Sequence, residues 1–263
     1  MFYHLLMSEN KPDGQKATHL QKNDRADRKS HRTQGSPAPG AAVIAPTEKT
    51  ISATSCLQYL TYRISNGEVT ITDCDTSATE IVIPGTIEGC PVTSIDSWAF
   101  SSCSSLTSID IPEGVTSIGY AAFTGCSSLT SIYIPDSATS IGSLAFADCS
   151  SLVSVDLPDG LTYIPSYLFR GCFDLVSVDI PESVYIIEGY AFRMCRSLTS
   201  VTIPEGVKDI GEYAFSECSA LTSIDIPEGI TTIQSHVFYG CSGLTSVHIP
   251  EGVTSIGEMA FCS

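Results

Sequence analysis

Eleven cysteines stand in a chain of 263 residues, and Cys103, Cys126, Cys149, Cys172, Cys195, Cys218 and Cys241 recur at a fixed interval of 23. Such a row of thiols could bridge, hold a metal or stay buried. Neighbours in a stacked column lie about 4.8 Å apart, inside the range of roughly 4.4–6.8 Å that a disulfide spans between Cα atoms. Stacked side chains point in parallel, though, which disfavours bridges. No C-x-x-C pair supports zinc. A ladder of free, buried thiols is expected, each a small apolar filler with a weak S–H donor.

Carboxylates and hydroxyls keep the same rhythm. Ser108, Ser131, Ser154, Ser177, Ser200, Ser223 and Ser246 form one column, and Glu113, Asp136, Asp159, Glu182, Glu205, Glu228 and Glu251 form another. Between them runs a column that varies: Asp110, Tyr133, Asp156, Asp179, Thr202, Asp225 and His248. Like charges opposite each other on adjacent strands repel, so Asp156 over Asp179 carries a cost unless water, a cation or a ligand intervenes. Two readings stay open for this face: a solvated acidic surface that keeps a sheet soluble, or a binding surface. The varying column is the candidate binding site, with Ser131, Ser154, Ser177, Ser200 and Ser223 beside it, because a surface that reads a ligand needs differences between rungs. A row of single carboxylates without a D-x-D-x-D loop makes a poor calcium cage.

Catalytic chemistry finds little support. His236 and His248 are the histidines of the repeats, one beside a Val-Phe turn and one on a strand, so they are expected on different faces. No Gly-rich phosphate loop, G-x-S-x-G or H-E-x-x-H occurs. The chain reads as a non-enzyme with no cofactor and no metal site.

The elements that position these columns follow from the repeat. Units of 23 residues start at Ile111, Ile134, Leu157, Ile180, Ile203 and Ile226, with a longer first unit from Ile83 that carries the insertion TIEGCP, and a partial one from Ile249. In Leu129-Thr-Ser-Ile-Tyr-Ile-Pro135, Leu129, Ile132 and Ile134 face inward while Ser131 and Tyr133 alternate outward, which describes a short strand. Pro-Glu-Gly turns the chain, Val115–Ile118 forms a second extended piece, and Ala122-Phe123 sits in a helical or 3-10 turn. Each unit is one coil of a solenoid. Its few apolar side chains cannot offset the entropy of ordering 23 residues, so a coil holds its shape only when stacked between others. Phe100, Phe123, Phe146, Phe169, Phe192, Phe215, Phe238 and Phe261 are expected to stack as an internal spine, with Ile95 to Ile256 as a parallel column.

Ahead of the repeats, LTYRIS and EVTIT flank Asn66-Gly67, a pair suited to the positive φ angles of a type I′ turn, so a β-hairpin cap is expected within residues 56–82. Residues 1–55 read as a disordered polar tail, and 83–263 as a solenoid of about eight coils, the last incomplete. Net charge is −16, and it is uneven: residues 1–50 hold eight Lys and Arg against five Asp and Glu, while 51–263 hold five against 24. So acidic a body argues against nucleic acid and anionic membranes, and favours cations or basic proteins. No apolar run reaches transmembrane length. The opening MFYHLLMSENK has too short an apolar core for a secretory signal, and no basic residues precede it, so the residues themselves assign no compartment.

The units centred on IPEGVTSIGxxAFxxCSSLTSI resemble the BspA-type leucine-rich repeats, found in surface proteins of oral and gut bacteria and of parasitic protists. The resemblance runs from residue 57 to 263 and takes in IVIPGTIEGCPVTSI as the opening coil. It implies a right-handed, mostly β solenoid with short parallel strands on one face. It also implies a non-catalytic role in attachment to host extracellular proteins, other microbes or epithelia, and a cell-surface or secreted location. The expected function is therefore a protein-binding or adhesion module that uses the strand face. The alternative is a structural or self-assembly module without a dedicated ligand, pairing end to end through Phe261 and Ile256 of the last coil.

Overall fold

The computed structural model describes residues 56–263; the tail expected over 1–55 lies outside them. A single 3-10 turn, Leu57–Tyr59, leads into β1 (Leu60–Ser65) and β2 (Glu68–Cys74). These strands pair antiparallel, with Ser65 opposite Glu68. Asn66 and Gly67 have φ of 53° and 81°, the two left-handed residues that a type I′ turn requires. β2 then pairs parallel with Cys90–Ile95, placing Ile71 beside Ile95, so the hairpin covers the first rung of the stack. The insertion TIEGCP makes a second small hairpin: Thr86–Ile87 pairs antiparallel with Cys90–Ile95 around Glu88 and Gly89, which have φ of 52° and 80°.

Beyond the cap the chain is a mostly β solenoid of about eight turns with almost no helix. Each coil carries two short parallel runs. On the first, Ser131–Tyr133 pairs with Ser154–Asp156, and Ile132 and Val155 point into the core while their neighbours face out. On the second, Cys90–Ile95, Ser117–Ile118 and Ser140–Ile141 align their isoleucines in register. The core is one continuous column of Ile, Val, Leu, Ala, Phe and Cys from cap to last coil. Phe100 to Phe238 are fully buried, and successive rings of the spine lie 4.9–5.8 Å apart with planes inclined by 6–22°. In the last coil Ile256 and Phe261, which continue the two columns, are exposed.

The third side corrects one expectation. Ala122-Phe123 does not form a helix or 3-10 turn. The N–H groups of Trp98, Phe100 and Ser102 donate to Tyr120, Ala122 and Thr124 of the next coil at 2.7–3.0 Å, while those of Ala99, Ser101 and Cys103 close turns within their own coil. Alternation of this kind needs left-handed residues. Trp98, Ala121, Leu144, Tyr167, Tyr190, Tyr213, His236 and Met259 all have φ between 51° and 67°, as does a second column from Ser102 to Gly240 between 57° and 75°. A helix would keep every amide inside its own coil and leave the neighbour unpaired. Left-handed geometry costs a non-glycine residue roughly 1–2 kcal/mol. Bonds to the adjacent coil offset that cost.

Because each coil contacts only its neighbours, damage at one rung separates the stack into two parts. Phe146→Ala should cost about 3–5 kcal/mol. Urea unfolding followed by hydrogen exchange should show the coils on either side losing protection at different denaturant concentrations, where the parent unfolds in one transition.

Candidate functional site

The phenylalanine carbonyl is the pivot around which the thiols sit. In each coil it accepts the N–H of its own coil's cysteine at 3.1–3.4 Å. It also accepts the S–H of the next: Cys126 donates to Phe100, Cys149 to Phe123, Cys172 to Phe146, Cys195 to Phe169, Cys218 to Phe192 and Cys241 to Phe215, all at 3.1–3.2 Å. Cys103, at the start of the row, donates to the Cys74 carbonyl at 3.8 Å. A side chain here must be small enough for the core and still carry a donor, and a thiol meets both needs. All eleven cysteines are free, and the seven of this column are buried. Burial, followed by the adjacent thiol, pushes Cys172, Cys195 and Cys218 well above the ordinary thiol range, and burial pushes Cys241 up to about 12. Held protonated, these groups are poor nucleophiles and poor metal ligands. Among the described residues, no three His, Cys, Asp or Glu side chains are grouped to hold a metal ion.

On the strand face, the serine column and the varying column from Asp110 to His248 are exposed throughout. Their partners are local. Tyr133 donates its hydroxyl to Glu113 at 3.0 Å, and His248 Nε2 lies 4.0 Å from Glu228. In the acidic column, Asp136 accepts the backbone N–H of Asp159, and Glu205 that of Glu228, both at 3.4 Å, so these carboxylates also hold the following coil. The strands on this face do not form one sheet. Glu80–Val82 pairs with Ser108–Asp110, Ser131–Tyr133 with Ser154–Asp156, Asp179 with Thr202, and Ser223–Asp225 with Ser246–His248. Every registered rung therefore sets one aspartate against a partner that is not acidic: Val82, Tyr133, Thr202 or His248. Asp156 and Asp179 are not registered partners. The ladder is open between them, as it also is between Asp110 and Tyr133 and between Thr202 and Asp225.

His248 belongs to this face, whereas His236 stands on the turn side. There the rings of Tyr167, Tyr190, Tyr213 and His236 stack at 4.5–4.8 Å with planes within 10° of parallel. Sequence reasoning placed His236 near a turn and missed this second, outer ladder. Its signal was present, since tyrosine recurs at 167, 190 and 213 two residues before the phenylalanine. A departure on the strand side was also passed over: exposed Val153, Phe173 and Val176, with Arg196 placed 4.9 Å over the Phe173 ring.

No described helix is long and apolar enough to cross a membrane. In comparison with known proteins, residues 72–195 and 162–263 match the BspA type leucine rich repeat region, in six copies. The leucine-rich repeat protein of T. pallidum is 30% identical, with a TM-score of 0.52 over 76% of this chain and 84% of that one. A leucine-rich repeat protein from Eubacterium ventriosum is 27% identical, with a TM-score of 0.54 over 76% of this chain and 49% of that one. No curated protein matches the chain.

Raised thiol pKa values link stability to pH. The unfolded thiols ionise near pH 8.5 and the folded ones do not, so their contribution is complete below that pH and is lost as pH climbs toward the folded values. The urea midpoint should fall as pH is raised from about 8 to 11. Replacing Cys172 and Cys195 with alanine should flatten that slope.

Proposed function

Because the chain belongs to the BspA-type leucine-rich repeat family, whose repeats serve as protein-binding or structural modules and are generally non-catalytic, we propose that it binds a protein partner through its exposed strand face. One observation carries the reading. On a scaffold whose inward positions and serine column repeat coil after coil, the column Asp110, Tyr133, Asp156, Asp179, Thr202, Asp225 and His248 changes from rung to rung and is exposed. Buried positions are constrained by packing; an exposed strand position is not, and differences there serve recognition.

Charge selects the partner. Residues 51–263 hold 24 acidic against five basic side chains, so a basic protein surface is drawn to this face and a second acidic one is repelled. Family membership extends the proposal to adhesion, with a host extracellular protein or the surface of another microbe as the bound object.

Replacing Asp156, Asp179 and Asp225 with asparagine tests the reading. Binding to immobilised extracellular-matrix proteins or whole microbial cells, measured by surface plasmon resonance, should weaken by about tenfold or more, and the loss should shrink at high salt. Melting temperature should stay level or rise, since like charge is removed. Undiminished binding by the variant, or its failure to fold, would assign these aspartates to the scaffold instead.

A further inference from the structure

At one junction the exposed column before the serines abandons its pattern. It is Thr at Thr107, Thr130, Thr199, Thr222 and Thr245, but Val at Val153 and Val176. The threonines help the stack: Thr107, Thr199, Thr222 and Thr245 donate their hydroxyls to a carbonyl of the preceding coil at 2.8–3.5 Å. A valine of the same shape forgoes that bond and leaves a methyl group in water. Val153 is 46% exposed and Val176 42%, so the substitution adds nothing to the core. Three residues earlier in the repeat, Ser104, Ser127, Ser150, Ser219 and Ser242 give way to Phe173, 38% exposed, and to Arg196 over its ring. The coils remain joined here, since Val176 N–H donates to the Val153 carbonyl at 3.1 Å and Ser197 N–H to the Phe173 carbonyl at 3.0 Å. Val153 and Val176 are thus neighbours in adjacent coils, with exposed Phe173 three residues before Val176 in its own coil.

This is the same junction at which two aspartates succeed each other in the varying column, Asp156 and Asp179. Each valine lies three residues before its aspartate, so their backbones are at most roughly 10 Å apart. Apolar side chains followed by carboxylates are complementary to an apolar side chain followed within that reach by a cation, and the acidic body of a second copy, with 24 acidic against five basic side chains over residues 51–263, would bring its own negative field with any cation.

Resting on the strand-face reading above, we infer that the patch of Val153, Phe173 and Val176 is the anchor of the binding face, and that it takes a protein segment presenting one apolar side chain next to lysine or arginine. The apolar side chain seats on the valines and the edge of Phe173, and the cation lies over Asp156 and Asp179. Energy in such interfaces concentrates in a few central residues, and here the exposed apolar side chains are gathered on two adjacent coils.

Titration of the 15N-labelled protein with the peptide acetyl-Gly-Leu-Gly-Gly-Lys-Lys-Gly-amide tests this by NMR. Shifts should concentrate on the amides of Val153, Ser154, Asp156, Val176 and Asp179. The triple variant V153T/F173S/V176T installs residues that other coils already carry, so it should fold, and it should bind at least about tenfold more weakly. Counterparts of the peptide with Glu for Lys or Gly for Leu should bind with similar losses. Shifts spread evenly from Ser108 to His248, or unaffected by the triple variant, would overturn the anchor and leave the strand-face reading standing. Peptide shifts absent from the strand face altogether would overturn both. Concentration-dependent shifts at Val153 and Val176 without peptide would assign the patch to self-association and overturn the proposal.

Discussion

The bond from one coil to the next is the constraint on which everything else depends. From Phe100 to Phe215 both backbone groups reach beyond the coil's own plane: the N–H donates to the following coil at 2.7–3.1 Å, and the carbonyl, besides its own coil's cysteine N–H, receives the following thiol at 3.1–3.2 Å. A coil cut from the stack would bury neither the aromatic ring nor these polar groups, and unmet buried groups are expensive. Repetition in the sequence is the chemical consequence. A residue that suits one rung suits every rung, because each meets a copy of the same environment above and below.

That reasoning explains which features could be read from the residues. The phenylalanine spine, the isoleucine column and the Asn66-Gly67 turn were legible because each depends on local chemistry or on a side chain that never varies. The third side was not. Ala-Phe flanked by Leu, Tyr or Met looks helix-compatible, and only the pull of amides in the adjacent coil forces Ala121 or Tyr190 into left-handed backbone. Propensity describes a residue and its chain neighbours; here the deciding partner is more than 20 residues away.

The strand face divides in a similar way. Its outward columns could be counted from the sequence, and they are exposed as counted. Its division into short pieces paired two rungs at a time leaves no mark in the outward residues, since gaps fall between Asp110 and Tyr133 and between Thr202 and Asp225 as well as between Asp156 and Asp179. The outer ladder of Tyr167, Tyr190, Tyr213 and His236 was open to the same counting, yet the eye goes first to columns that fill every rung. Columns that never change report the scaffold, and a column that changes partway is one the scaffold leaves free to vary.

The stacked rings also bear on what happens when such a molecule is pulled by its ends. Tension along the stack loads each junction in series, and rungs with near-identical bonds yield at near-identical force. Freed one at a time, each rung of 23 residues would pay out roughly 70–80 Å of extended chain. A tether built in this way lengthens in steps under load instead of snapping at once, and rewinds against the rungs that stayed shut.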